Sequence, residues 1–401
     1  MNPALANLQL YPFQRLAALK AGSEENTRYP EHIALSIGEP KHAPPDFIVA
    51  ALADAGRVTQ SLGKYPATKG DIELRAGISH WINGRFNAQL DPDTQILPVN
   101  GTREALFSFA QTILSGKPDS VALLPNPFYQ IYEGAVLMRG TTPVFLPTTA
   151  DNGYKPDFAA VPESTWQNCE LVFICSPGNP SGAVMDAQEL SALLELRDQY
   201  NFVIAADECY SEIYPPDACA PTGLLEVCAA TGRTDFTGCM VFHSLSKRSN
   251  LPGLRSGFVA GDAELMAPYL NYRTYHGCAM PALTQYVSTL AWADEVHVSR
   301  NRAAYAEKFA AVLPILQSSL KVNQPQAAFY LWPQTPMDDQ RFARELFEHS
   351  NVTVLPGTFL SRQGSDGTLP GAHHVRMALV AELDECIEAA ERICEFLRVA
   401  S

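Results

Sequence analysis

His243-Ser244-Leu245-Ser246-Lys247-Arg248-Ser249-Asn250-Leu251-Pro252-Gly253-Leu254-Arg255-Ser256-Gly257-Phe258 is the stretch on which the reading of this chain turns. It links two apolar runs of strand length, Met240-Val-Phe-His-Ser244 and Ser256-Gly-Phe-Val-Ala-Gly261. Between them stands an amine, Lys247, beside the hydroxyls of Ser244 and Ser246, with Arg255 eight positions on. Hydroxyls and a forked guanidinium bind phosphate well, so the run sets an anion site next to a nucleophile. Taken alone, Ser-Leu-Ser-Lys reads better as a solvated basic loop. The rest of the chain must decide.

Working outward, Val121-Ala-Leu-Leu-Pro125, Leu171-Val-Phe-Ile-Cys-Ser176 and Phe202-Val-Ile-Ala-Ala-Asp207 are further unbroken apolar runs. Such runs fit strands covered on both faces, as in a mostly parallel α/β sheet. Ala187-Gln-Glu-Leu-Ser-Ala-Leu-Leu-Glu-Leu-Arg197 carries helical spacing between two of them. Polar clusters recur where the strands end, at Ser176-Pro-Gly-Asn179, Asp207-Glu-Cys-Tyr210 and Ser244-Leu-Ser-Lys247. Ligands of open α/β sheets bind at that edge. The expected organisation is an N-terminal arm with part of a small domain (1–46), a large domain (47–280) and a small α+β domain (281–401). In the last, two helices over about 283–320 precede strands at Ala328–Trp332, Val352–Leu355 and Val375–Leu379, and a final helix starts at Glu382.

Composition narrows the function classes. The 401 residues carry 29 Lys and Arg against 43 Asp and Glu, a net charge of −14. That balance disfavours a nucleic-acid partner, which needs concentrated cations. No apolar run approaches the roughly 18–20 residues a bilayer requires, and the start lacks a signal-peptide pattern. Nine cysteines, without a Cys-x-x-Cys spacing, read as small buried hydrophobes in a reducing cytoplasm. No metal site is expected: His373 and His374 are adjacent, and no His-Glu-x-x-His occurs.

The strand-end clusters suit one cofactor chemistry. A buried Asp207 would salt-bridge a protonated pyridine nitrogen and strengthen the ring as an electron sink. Tyr210 and Asn179 would then hydrogen-bond the ring's phenolate oxygen. Asn100-Gly101-Thr102-Arg103 looks like a helix start where glycine lets a phosphate approach free N–H groups. Tyr129 offers a ring to stack on a cofactor. Each has an ordinary counterpart: a helix N-cap for Asp207, a Pro-Gly turn for Asn179, a capped helix at Gly101, core packing for Tyr129.

In order, Tyr65, Gly101-Thr102, Tyr129, Asn179-Pro180, Asp207-x-x-Tyr210, Ser244-x-Ser246-Lys247, Arg255 and Arg376 resemble the class I/II aminotransferases of fold type I, over essentially the whole chain. The resemblance implies pyridoxal 5′-phosphate and a large domain with a mostly parallel, seven-stranded-type sheet flanked by helices, plus a smaller α+β domain. Lys247 would be the residue bonded to the cofactor aldehyde, Asp207 the partner of the pyridine nitrogen, Tyr210 and Asn179 the ligands of its phenolate oxygen. Ser244, Ser246 and Arg255 would hold the phosphate with the Gly101-Thr102-Arg103 helix start. Tyr65 would reach it from the second subunit of a homodimer. Arg376 and Gly38 would bind the substrate α-carboxylate end.

A narrower resemblance, to the N-succinyldiaminopimelate aminotransferases, is carried by Leu8-Gln-Leu-Tyr-Pro-Phe13, Gly38-Glu-Pro-Lys-His42, Tyr272-Arg-Thr-Tyr-His-Gly-Cys-Ala-Met280 and Trp292-Ala-Asp-Glu-Val-His297. It implies glutamate as donor, N-succinyl-2-amino-6-oxopimelate as acceptor, and a place in lysine biosynthesis. Phe128-Tyr129 departs from the Gly-Tyr or Tyr-Trp of relatives. Both substrates carry a distal carboxylate, for which Arg273, placed where relatives bring an arginine from the neighbouring subunit, is the candidate clamp, with Arg28 and Lys41 as rivals. The same cofactor residues would serve an aspartate, aromatic or LL-diaminopimelate aminotransferase, or a β-eliminating lyase. A nicotinamide dehydrogenase is disfavoured, because no Gly-x-Gly-x-x-Gly opens a helix.

Overall fold

The computed structural model describes residues 1–23, 26, 28–364 and 367–400. Its centre is a seven-stranded sheet ordered Ile96–Val99, Gly257–Gly261, Cys239–Ser244, Val203–Asp207, Cys169–Cys175, Val121–Asn126, Thr142–Pro147. Gly257–Gly261 alone runs against its neighbours. The strands are buried on both sides because successive side chains enter opposite faces. Val172 and Ile174 join one core with Leu123, Ile204 and Val241. Leu171 and Phe173 join the other with Leu124, Ala205 and Phe242.

Helices cover each face. Thr102–Ile113 places Ala105, Leu106 and Phe109 on the second core. Ala187–Tyr200 places Leu190, Leu193 and Leu194 on the first, the i, i+3, i+4 spacing of one helical face. It begins at a reciprocal cap, where Asp186 Oδ1 accepts from Glu189 N at 2.9 Å and Glu189 Oε2 from Asp186 N at 2.8 Å. It ends at Asn201 in the left-handed region, φ 59°.

The second body has its own apolar core, with Phe309, Leu331, Leu346, Val375 and Ile393 among its members. Leu355–Pro356, Val375–Ala378 and Tyr330–Leu331 form its antiparallel sheet, and Ile33–Ala34 pairs in parallel with Val352–Thr353. Helix Ala282–Ala293, expected in the C-terminal domain, instead sends Val287, Ala291 and Trp292 into the large core. The bodies therefore part after it, not at residue 281. Helix Val296–Leu316 reaches from His297, whose Nε2 lies 2.8 Å from Ser249 Oγ of the large body, to Leu316 in the small core. Among the described residues no helix is long and apolar enough to cross a membrane.

Candidate active site

Register alone brings the polar clusters together. Cys175 pairs with Asp207 across parallel strands, Ser244 with Gly257, and Val99 with the same Gly257. The ends that follow, at Asn179, Asp207–Tyr210, Ser244–Lys247, Arg255 and Asn100–Thr102, therefore share one sheet edge. From them Thr102, Asn179, Asp207, Tyr210, Ser244, Ser246, Lys247 and Arg255 line a cleft of about 630 Å³ with Gly38, Glu39, Tyr11, Arg103, Tyr129, Tyr330 and Arg376.

Lys247 sits in the short helix Leu245–Arg248, begun by Ser244, whose Oγ accepts from Ser246 N at 3.1 Å. Its ammonium donates to the carbonyl of Gly38. Burial lowers its pKa to about 8, with Arg376 and Arg255 pushing the same way and Cys209 and Glu39 opposing. Nearby cations and desolvation both favour the neutral amine, the form a nucleophile needs.

Asp207 is buried, accepting from Tyr132 Oη at 2.6 Å and Cys209 N at 3.3 Å. Burial raises its pKa. It forms no ion pair among the described residues, so a cation delivered into the cleft would meet an uncompensated carboxylate. Tyr210 shares a 2.8 Å hydrogen bond with Tyr330, and burial pushes its phenol up. Arg376, 5 % exposed, donates to Asn179 Oδ1 at 2.9 Å and to Ser36 O at 2.8 Å. Its Nε has no partner, which suits an anionic ligand. Gly38 admits no side chain there, because a Cβ would lie 2.2 Å from Tyr330 Oη.

The anion cup is built around Gly101, at φ +86°, which starts the twelve-residue helix Thr102–Ile113 without a side-chain cap. A Cβ on Gly101 would lie 2.4 Å from an Arg255 nitrogen, so the guanidinium packs on bare backbone. Uncapped N–H groups, Ser244, Ser246 and Arg255 fit a phosphate, and the unpaired Asp207 fits a protonated pyridine. The donor set therefore suits pyridoxal phosphate.

Three expectations are corrected or refined. Arg273 does not reach the cleft: it is 0 % exposed, with both terminal nitrogens on Glu104 at 2.7 and 2.9 Å. Glu104 in turn accepts from Asn100 N at 2.8 Å, so Arg273 braces the anion cup instead of clamping substrate. Its rivals are also spent elsewhere, Arg28 on Glu395 and Lys41 near Glu385 at 3.6 Å. The side chain of Arg103 leaves the helix start, donating to Tyr129 Oη at 2.6 Å and Tyr11 Oη at 3.0 Å, so only its backbone faces the cup. Tyr65 is fully exposed and does not line the cleft of its own chain. The sequence reading missed Tyr132 and Tyr330, both embedded in core-like runs, and Glu39, which follows the singled-out Gly38.

This arrangement defines an aminotransferase. The chain matches the family Aminotransferase class I and II over residues 30–393 and belongs to it. That family uses pyridoxal phosphate. An LL-diaminopimelate aminotransferase of Nitratidesulfovibrio vulgaris is 30 % identical over 97 % of each chain. A crystal structure of an aminotransferase from Neisseria meningitidis superposes with TM-score 0.93 and 47 % identity, over 98 % of this chain and 99 % of that one. A probable N-succinyldiaminopimelate aminotransferase from Thermus thermophilus gives TM-score 0.84 and 26 % identity, over 96 % and 100 %.

Proposed function

We propose that this aminotransferase takes the amino group of glutamate and delivers it to N-succinyl-2-amino-6-oxopimelate, a step of lysine biosynthesis. The observation that carries the reading is an arginine in the cleft, Arg103, besides Arg376 and the phosphate-side Arg255. Arg376 is assigned to the α-carboxylate, and Arg103, steadied by Tyr129 and Tyr11, is assigned to the distal one. A planar guanidinium suits either carboxylate. Glutamate carries two carboxylates and the succinylated acceptor three, so each presents an α-carboxylate and a distal one to the pair.

The residue roles follow from chemistry. Bound pyridoxal phosphate supplies an aldehyde for amines and a ring that withdraws electrons from the substrate α-carbon. Asp207 holds the proton on the ring nitrogen. Tyr210 and Asn179 orient the ring through its phenolate oxygen, and Tyr129 packs on it. Ser244, Ser246, Arg255 and the Thr102 helix start fix the phosphate. Lys247, as a neutral amine, takes the proton from the substrate α-carbon. Arg376 and the Gly38 backbone hold the substrate so that this carbon faces Lys247.

The working unit is assigned as a homodimer in which Tyr65 completes the partner's phosphate site. Support comes from Tyr65 itself and from Leu62, Ile72 and Tyr275, large apolar side chains exposed on the single chain.

A second reading, LL-diaminopimelate as substrate, is favoured by Glu39. Its carboxylate lines the cleft without an ion pair among the described residues and would suit a distal ammonium. Glutamate-dependent transfer to a panel of acceptors separates the two. The proposal expects the N-succinylated acceptor to turn over fastest and Arg103→Met to raise KM for glutamate but not for alanine. Faster transfer to unsuccinylated 2-amino-6-oxopimelate, yielding LL-diaminopimelate and lost in Glu39→Gln, would transfer the assignment to the second reading.

A further inference from the structure

Beside the lysine turn lies a partly buried polar chain that none of these roles uses. Lys308, 3 % exposed and without an ion pair among the described residues, donates to His42 Nε2 at 2.6 Å. His42 Nδ1 lies 2.8 Å from Asn301 Oδ1, and Asn301 Nδ2 donates to the carbonyls of Lys247 at 3.1 Å and Arg248 at 3.3 Å. The His42 ring packs on Tyr305, with centroids 4.7 Å apart.

Donor and acceptor rules fix every direction in this chain. Two carbonyls only accept, so the amide of Asn301 must turn its NH₂ toward them and its oxygen toward His42. His42 must then donate from Nδ1. With Lys308 donating, Nε2 must be bare, so the ring is neutral with its one proton on Nδ1. The opposite tautomer would leave two acceptors facing at Asn301 and two donors facing at Lys308.

The chain also closes on the site. His42 follows Gly38 by four residues, and Gly38 O accepts from the Lys247 ammonium. The carbonyl of His42 accepts from Asn250 Nδ2, three residues past Lys247. The substrate-side segment and the lysine turn are thus tied at three points, two of them through His42.

We propose that His42 is a positioning residue which, as the Nδ1–H tautomer, locks Asn301 onto the Lys247 turn and so sets the reacting amine against the Gly38 segment. The proposal rests on Lys247 being that amine, which borohydride trapping of the cofactor on the Lys247 peptide tests separately.

Holoenzyme labelled with ¹⁵N-histidine tests the tautomer directly, His42 being assigned by its loss in His42→Phe. The expected spectrum at neutral pH shows a protonated Nδ1 and a bare Nε2. A proton on Nε2, or on both nitrogens, would overturn the proposal. His42→Phe keeps the ring on Tyr305 but breaks the chain, and about tenfold loss of kcat is expected, with KM for glutamate little changed and the pH titration of the bound cofactor's visible band displaced. Asn301→Ala should do the same, and the double variant should lose no more than either alone. Additive losses, or an undisplaced titration in both single variants, would contradict a shared positioning role.

Discussion

Tyr132 donates its phenolic proton to Asp207 Oδ2 at 2.6 Å, in a place where no Lys or Arg pairs with that carboxylate among the described residues. The phenol ring is held by stacking on Phe173, 4.7 Å away and within 10° of parallel. Tyr132 therefore supports the charged form of the acid proposed to meet a pyridine nitrogen.

Tyr132→Phe keeps the stack and removes the hydrogen bond. A bond to a charged group contributes about 1.5–3 kcal/mol, so cofactor affinity should fall roughly ten- to hundredfold. Dialysis followed by absorbance of the retained cofactor measures it. Unaltered retention would show that Asp207 does not need this donor.

Arg273→Met leaves Glu104 unpaired beside the anion cup. Breaking a buried pair costs roughly 3–5 kcal/mol, and the lower end is expected because Glu104 is partly exposed. Thermal unfolding should drop and cofactor retention weaken, while KM for glutamate in cofactor-saturated enzyme stays the same. A selective rise in that KM would return Arg273 to the substrate site.

Lys247 gives a pH dependence in the cofactor-free protein. Its folded pKa, about 8, lies below the ordinary lysine value of 10.5, so between these the unfolded chain binds more protons. Stability from this group therefore rises with pH across that window, and its burial penalty is full below pH 8. Cofactor-free Lys247→Met should unfold at a higher temperature than the parent at pH 7, with the gap closing toward pH 10. A gap independent of pH would contradict the lowered pKa.

Lys247→Ala should abolish turnover, and Tyr65→Ala should weaken it. If Tyr65 serves the partner's site, mixing the two variants creates hybrid dimers with one intact site. Statistical exchange then restores up to about a quarter of parental activity. Failure to recover activity in verified hybrids would sever Tyr65 from the partner's site.

The central strands were readable because they are continuous apolar runs with polar residues at one end. Two outer strands escaped. Ile96–Val99 contains Pro98, and Thr142–Pro147 contains two prolines and exposed positions, as edge strands tolerate. The cleft residues were readable for a related reason: a residue just past a parallel strand has its position fixed by register. Arg273 was not, because nothing local reveals that its charge is spent on Glu104, far away in sequence. Tyr132 and Tyr330 look like core aromatics, and only their hydroxyl partners show otherwise. The family resemblance carried fold and cofactor, whereas substrate preference depends on side chains such as Arg103 and Glu39 that no shared motif names.

Helix Val296–Leu316 spends its first half steadying the lysine turn through Asn301 and its second half inside the small core through Phe309, Val312 and Leu316. A rigid rod anchored at both ends transmits any tilt. Movement of the smaller body toward a newly arrived amino acid would be felt at the carbonyl of Lys247, so grip on the substrate and aim of the amine become a single mechanical event.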